Sequence, residues 1–178
     1  SGGTSTGKTT LMGTIASHVP HTERIIVLED TNELHVRHPH AVYLESRPAS
    51  AEGVGGIDLG DLVRCSLRLR PDRLVVGEVR GAEAFDMLQA MNTGHAGSLS
   101  TCHANSARDA LHRIESMVLR AVNNWPLHAV RSYVASAIDM VVHLDRDAAG
   151  VRRIIDVARV DTTLATDGSY VLASLLAD

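Results

Sequence analysis

The sequence predicts an α/β fold in which a mainly parallel sheet is flanked by helices. A glycine-rich loop followed at once by a helical pattern opens the chain. Short apolar runs of strand type then alternate with helical patterns along most of its length. This alternation is typical of parallel sheets, because parallel strands need a crossover segment between them. At 178 residues the chain can bury a sizeable core, and we predict one domain over residues 1–178.

The first elements are marked by their residue patterns. Residues 8–17 form the helix expected after a glycine-rich loop, and residues 24–29, RIIVLE, are an apolar run of strand type. Residues 34–48 are interrupted by Pro39, which favours a pair of short extended segments. The small residues of 49–56 indicate a loop.

The middle of the chain continues the alternation. A helix, a strand, a helix and a strand are predicted at residues 58–70, 72–78, 81–94 and 97–103. Leu59, Leu62 and Val63 share one face of the first of these helices. Gly94 ends the second, because glycine readily takes the left-handed conformation that closes a helix.

The last third contains two helices and the closing strands. Helix 105–122 carries Leu111 and Ile114 at helical spacing, with Asn105 or Ser106 as its cap. Helix 126–138 starts at a proline. The closing strands are predicted at 139–145, 152–160 and 169–176, with a turn at Asp167 and Gly168 between the last two.

The opening stretch, SGGTSTGKTT, is a phosphate-binding loop of the pattern G-x-x-x-x-G-K-[ST]. Its glycines let successive backbone N–H groups point inward, and the helix that follows adds a positive field. Lys8 is expected to reach the phosphates and the Thr9 hydroxyl to bind Mg²⁺. The predicted nucleotide-binding residues are Gly2, Gly3, Thr4, Ser5, Thr6, Gly7, Lys8, Thr9 and Thr10.

Acidic residues follow two of the predicted strands, Glu29 after the first and Glu78 after the second. Ligands of open α/β sheets lie beyond the carboxyl ends of the strands, where a carboxylate can hold Mg²⁺ or activate water. We predict Glu78 as a Mg²⁺-binding or catalytic carboxylate and Glu29 as a second catalytic acid; the spacing leaves open which is the base. His103 could contact the γ-phosphate, and Arg80 could bind Glu78 or a neighbouring subunit.

Composition narrows the function classes. The net charge of −4 and an aromatic content of 3% give no electrostatic or stacking case for nucleic acid. No stretch is apolar enough to span a bilayer, and no signal peptide is evident. Cys65 and Cys102 have no metal or redox spacing and suit a reducing cytosol. The strand that normally feeds a phosphate loop would precede residue 1, so we expect a fragment of a longer protein.

These motifs resemble the ATPases of type II and type IV secretion systems and type IV pili, most closely the branch that assembles Tad-type (Flp) pili. SGGTSTGKTT matches the Walker A loop, and ERIIVLEDTNEL is similar to the family's Asp box. LRLRPDRLVVGEVRGAEAFDMLQAMNTGHAGS resembles the Walker B region, and GHAGSLSTCHANS the His box. The likeness covers nearly the whole chain, although the four-cysteine zinc module of the classical type II branch is absent from the sequence.

The resemblance implies the RecA-like C-terminal domain of a homo-hexameric motor, with ATP and Mg²⁺ as its ligands. An N-terminal domain and the strand before the loop would lie outside this sequence. Lys8 and Thr9 would hold phosphate and Mg²⁺, Glu78 would be the Walker B acid and Glu29 the Asp-box acid. The resemblance also implies that His103 is the His-box residue. It further implies that Arg47, in a separate loop, lies near the γ-phosphate.

The implied activity is ATP hydrolysis that powers pilus assembly or protein secretion across the bacterial envelope. The implied location is the cytoplasm, at the inner-membrane face, with an inner-membrane platform or secretion-system protein as partner. Two alternatives stay open from the sequence. One is a nucleic-acid translocase on the same core, and the other is an assembly module that binds ATP without hydrolysing it.

Overall fold

A computed structural model describes residues 1–176, so the last two residues of the predicted domain lie outside the described part. The chain divides into two compact units. One comprises Thr9–Thr101, and the other joins Ser1–Lys8 to the chain from Cys102 onward. The prediction of one domain over the whole sequence stays a prediction.

The unit formed by Thr9–Thr101 is built on a four-stranded parallel sheet. Its strands are β1 (Ile25–Glu29), β2 (Ala41–Glu45), β3 (Arg73–Glu78) and β4 (Leu99–Thr101), in the order β2-β1-β3-β4. All three neighbouring pairs are parallel. Every residue of β1 is buried, as expected for an apolar strand inside a sheet covered on both faces. The predicted α/β fold with a parallel sheet is confirmed.

Three helices belong to this sheet: α1 (Lys8–Ala16), α2 (Leu59–Ser66), which a 3₁₀ turn extends, and α3 (Glu83–Asn92). Met12 and Ala16 of α1 pack with Ile25 and Val27 in one buried cluster. Because strand side chains alternate between faces, Ile26 and Leu28 point to the opposite side.

Helix α2 has the amphipathic face predicted from the sequence. Leu59, Leu62 and Val63 are buried, and so is Ser66. Its first turn is closed by a capping box, in which the Asp58 side chain accepts from the Asp61 N–H and the Asp61 side chain accepts from the Asp58 N–H.

The second unit contains an antiparallel sheet and two helices. Its strands are β5 (Met140–Arg146), β6 (Arg152–Leu164) and β7 (Tyr170–Ser174), in that order. Its helices are α4 (Ala107–Ala121) and α5 (Leu127–Ala137). The three closing strands predicted from the sequence are therefore present. Their antiparallel pairing follows from short connections, which cannot join parallel neighbours.

A partly buried ion pair connects the two helices of this unit to its sheet. Glu115 of α4 accepts a hydrogen bond from Arg131 of α5 at 2.9 Å and from the Tyr170 hydroxyl of β7 at 3.1 Å. Burial beside this carboxylate raises the pKa of Tyr170 above its ordinary value. The phenol therefore stays protonated and remains a donor.

The structure differs locally from the predicted elements at several places. Ser106, rather than Asn105, caps α4, because its side chain accepts from the Asp109 N–H. The predicted extended pair around Pro39 yields one strand, β2, and a non-strand segment whose Leu34 and Val36 are buried. The strand predicted at 97–103 is shortened to β4. None of the helices in the described residues combines the length and apolar character that a bilayer crossing requires.

Candidate nucleotide site

The predicted phosphate loop, Ser1–Lys8, has backbone angles that explain its glycines. Gly7 has φ 97° and Ser5 has φ 59°, so both lie in the region that disfavours side chains. Gly2 has φ 153°, and a Cβ there would lie 2.7 Å from Thr6 Oγ1 and would also collide with the Leu144 carbonyl. Gly2 is therefore required by close approach as well as by backbone angle.

Lys8 folds back over the loop. Its ammonium donates to the carbonyl oxygens of Gly2 at 3.1 Å and of Gly3 at 2.8 Å. The Thr6 hydroxyl, which is buried, donates to the Gly3 carbonyl at 3.0 Å. The cation of Lys8 thus lies over the part of the loop whose geometry suits an anion.

His103 lies beside the start of the loop. Gly2 forms an isolated parallel bridge with His103 and a second one with Leu144. The structure therefore brings together two of the predicted groups, the loop and the residue after β4. Cys102, next to His103, is buried and forms no disulfide with any described residue. Adjacent residues of an extended segment point to opposite sides, so the pair forms no nucleophilic dyad.

Glu29 ends β1 in a buried position, with 5% of its surface exposed. One carboxylate oxygen, Oε1, accepts from the backbone N–H groups of Glu33 at 3.2 Å and Leu34 at 2.9 Å. Burial raises the pKa of Glu29, and this effect outweighs the two hydrogen bonds that lower it. Glu29 is thus held in a fixed orientation and binds protons more tightly than an ordinary glutamate.

Glu78 ends β3, the neighbour of β1, and is bound by an arginine. Its Oε2 accepts from Arg80 Nε at 2.8 Å and also contacts Arg80 Nη2. The Glu78 side chain is 19% exposed and the Arg80 side chain 69%, so the guanidinium covers the acid from the solvent side. The predicted contact of Arg80 with Glu78 is present, and it raises the pKa of Arg80.

The turn after Glu78 is fixed from the first turn of α3. The Glu83 carboxylate accepts from the backbone N–H groups of Arg80 at 2.6 Å and Gly81 at 2.8 Å. Strands β1 and β3 are parallel neighbours and pair Leu28 with Val76. Because both strands end in glutamate, Glu29 and Glu78 lie at the same edge of the sheet.

Arg47 is held by its own loop. Its Nε donates to the Gly55 carbonyl at 2.8 Å, and residues 47 and 57 form an antiparallel bridge. The arginine is therefore not bound to either strand-end acid in this structure, and its role near a γ-phosphate stays a prediction.

Two arginines beside the loop are missed by motif reasoning. Arg146 ends β5 and Arg152 begins β6, and the two are paired across these strands. Arg146 donates to the Ser5 carbonyl at 2.7 Å, and Arg152 lies against Gly7. No local signal marks them, because strand pairing brings them to a loop about 140 residues earlier in the chain.

The chain is similar to proteins named as components of conjugal transfer and type IV secretion systems. The family model described as "Type II/IV secretion system protein" matches residues 1–168. A putative conjugal transfer protein of Mycobacterium tuberculosis is 46% identical over 157 residues, which cover 88% of this chain and 44% of that protein. The type IV secretion system protein PtlH of Bordetella pertussis is 40% identical, covering 88% and 48%. The chain thus spans about half the length of the curated relatives it matches.

Solved structures show the same fold. The crystal structure of the VirB11 ATPase from the Brucella suis type IV secretion system, in complex with sulphate, matches with a TM-score of 0.77 and 32% identity. It covers 89% of this chain and 46% of the solved chain. The pilus retraction motor PilT with bound ADP matches at a TM-score of 0.56 and 21% identity, over 98% of this chain and 44% of PilT. The likeness to PilT, at 21% identity, is evidence for the fold alone.

Proposed function

The chain belongs to the type II/IV secretion system protein family, and on that premise we propose that it is the ATP-hydrolysing domain of a secretion motor. The observation that carries this proposal is the phosphate loop, with its left-handed residues and the Lys8 ammonium folded over it. Such a loop binds the phosphates of a nucleotide through backbone N–H groups and a lysine. ATP is the nucleotide we propose, because the matched relatives include solved ATPases.

We assign a role in nucleotide binding or hydrolysis to each of the predicted site residues. The loop residues Gly2 to Lys8, with Thr10, hold the phosphates, and His103 contacts the γ-phosphate. Glu29 is the general base, because a buried carboxylate with a raised pKa takes a proton from water more readily than an ordinary one. Glu78 is bound by Arg80 and serves as the metal-side acid. Arg47 is proposed to approach the γ-phosphate after leaving its contact with Gly55.

The donor groups fit Mg²⁺. The Thr9 hydroxyl and the Glu78 carboxylate are oxygen ligands, which Mg²⁺ prefers. Among the described residues no three His, Cys, Asp or Glu side chains form a metal cage. Mg²⁺ needs no such cage, since it keeps several waters and uses one or two carboxylates with substrate phosphates. When bound, the ion would neutralise charge on the phosphates, and Thr9 and Glu78 would hold it.

The assembly we propose is a homo-hexamer at the cytoplasmic face of the inner membrane. There it would act on an inner-membrane platform or secretion-system protein to drive pilus assembly or protein secretion. The support is family membership together with relatives named as secretion-system and conjugal-transfer proteins. The Tad-type branch remains a prediction, because the relatives found do not test it.

The alternative of a nucleic-acid translocase has less support. A net charge of −4 opposes phosphate-backbone binding, and single-strand channels need stacked aromatic side chains, of which this chain has few. Stimulation of hydrolysis by DNA would favour that alternative over ours.

Nucleotide binding and hydrolysis by the full-length protein test the proposal. We expect Lys8→Ala to abolish ATP binding, and Glu29→Gln to keep binding while losing hydrolysis. Glu52→Gln is the matched control, because Glu52 lies exposed in the 49–56 loop. Tight ATP binding without phosphate release in the wild-type protein would contradict hydrolysis and favour the non-hydrolysing assembly module.

A further inference from the structure

The connection between β5 and β6 brings a pair of arginines to the phosphate loop. Arg146 and Arg152 are partners in the antiparallel register of these strands. Arg146 donates to the Ser5 carbonyl through Nη2 at 2.7 Å and through Nε at 3.3 Å. Ser5 is a non-glycine residue with φ 59°, so this contact fixes the carbonyl of a strained residue.

Arg152 lies beside Gly7, near the C-terminal end of the same loop. A Cβ placed on Gly7 would lie 3.4 Å from Arg152 Cδ, so the aliphatic part of the arginine lies close to this glycine. Within the described residues, no hydrogen bond or ion pair involves the Arg152 guanidinium. The aliphatic part of Arg152 thus packs on the loop while its charged end stays available.

The next residue along β6 behaves differently. The Arg153 guanidinium donates to Asp147 at 2.7 Å, and adjacent strand residues point to opposite faces. Asp147 also accepts from the backbone N–H groups of Ala149 and Val151. Asp145 accepts from the N–H of Arg146. The nearby acids are therefore engaged by other donors, and Arg153 offers a matched control for Arg152.

Arg146 and Arg152 place two cationic side chains beside the loop, residues 1–8. The sequence of the loop contains Lys8 and no acidic residue. An anion bound at the loop is attracted by these cations. A polyphosphate is an anion of matching charge, and arginine binds phosphate oxygens through two parallel N–H groups.

We propose that Arg152 contacts the polyphosphate of the nucleotide bound by this loop, and that Arg146 is a positioning residue that holds Ser5. The proposal rests on the function proposed above and adds one ligand-contacting residue and one positioning residue, neither of which belongs to its motifs. Arg152 supplies a charge-assisted hydrogen bond, and Arg146 keeps the loop in the shape that binds.

The test compares Arg152→Gln with Arg153→Gln in the full-length protein, using dissociation constants for ADP and for inorganic tripolyphosphate. Loss of one hydrogen bond to a charged group should weaken both ligands by about tenfold in Arg152→Gln. Arg153→Gln should stay within about twofold of wild type, as expected for an exposed ion pair. Equal behaviour of the two variants would overturn the proposal. Weaker ADP binding with unchanged tripolyphosphate binding would also overturn it, since the contact would then be to the nucleoside.

Lys8→Ala separates this inference from the proposed function. If Lys8→Ala abolishes ADP binding and Arg152→Gln does not affect it, the loop binds nucleotide and only the inference fails. If Lys8→Ala leaves ADP binding intact, the proposed nucleotide site itself fails.

Arg146 is tested by rescue. Arg146→Gln should raise the ADP dissociation constant, and Arg146→Lys should recover part of the loss because it restores a charged donor for the Ser5 carbonyl. The unfolding temperature of both variants should equal that of the wild type. A loss of affinity that follows a lowered unfolding temperature in both variants would contradict the positioning role.

Discussion

Three neighbouring strands of the parallel sheet end in glutamate, and the three ends differ in what surrounds the carboxylate. Glu29, at the end of β1, is buried and bound by two backbone N–H groups. Glu78, at the end of β3, is bound by Arg80. Glu45, at the end of β2, lies opposite Glu29 in register and is exposed. Position at a strand end therefore does not fix the chemistry of an acid, because its neighbours decide how deeply it is buried and which groups it binds.

The comparison predicts the largest effect for Glu29. Replacing it with glutamine keeps the acceptor for the Glu33 and Leu34 N–H groups but removes the base, so we expect hydrolysis to fall by roughly 10²-fold or more. ATP affinity should stay near the wild-type value. Steady-state hydrolysis and equilibrium binding on the same preparation check this. Hydrolysis that survives in Glu29→Gln and is lost in Glu78→Gln would reverse the two roles.

The raised pKa of Glu29 predicts a pH-dependent stability difference. A raised carboxyl pKa means that the ionised form is less favourable in the folded than in the unfolded state, so the cost is present at high pH. Glu29→Gln should therefore unfold at a higher temperature than the wild type at pH 8. The difference should shrink as the pH falls towards 4.5, the ordinary value for glutamate. A difference that is equal at both pH values would show that burial does not raise this pKa.

Arg80 is predicted to have a smaller effect, on metal affinity. Its guanidinium occupies Glu78 Oε2 and repels cations, so Arg80→Gln should lower the Mg²⁺ concentration needed for half-maximal hydrolysis by up to about fivefold. Arg64→Gln is the control, because Arg64 is also an ion-paired, exposed arginine but binds Asp61 and Asp86. A higher Mg²⁺ requirement in Arg80→Gln would mean that the arginine helps to hold the metal-side acid in place.

Glu45 should matter least. Its charge slightly raises the pKa of Glu29, so Glu45→Gln should shift the acidic limb of the hydrolysis profile towards lower pH. The maximal rate should remain within about twofold of wild type, as for an exposed side chain without a ligand role. The pH dependence of kcat/KM measures both quantities. A large loss of rate would place Glu45 in the site and remove the distinction among the three strand ends.

The features that the sequence predicted well are those set by local pattern. The helix after the glycine-rich loop and the positions of Glu29 and Glu78 at the ends of β1 and β3 each depend on a few consecutive residues. Phosphate binding by the loop and catalysis by the two acids stay predictions. The contact of Arg80 with Glu78 could also be predicted from the sequence, because residues two apart along an extended segment point the same way. The face of α2 followed from helical spacing.

The features that the sequence could not provide depend on register and loop closure. Arg146 and Arg152 reach the loop because β5 and β6 pair with a register shift between His143 and Leu144. No sequence pattern specifies that shift. Arg47 binds the Gly55 carbonyl because its loop closes through a bridge to Ile57. The proton affinity of Glu29 depends on burial by residues distant in sequence, so motif reasoning left its role and that of Glu78 open.

The most direct test of the central claim is the rate of ATP hydrolysis per subunit, measured on the full-length protein over a range of protein concentrations. A motor that works as a ring should show a specific activity that rises with concentration, and Glu78→Gln should abolish it. Specific activity that is independent of concentration, yet still lost in Glu78→Gln, would show that each subunit is complete alone. That result would contradict the proposed ring motor.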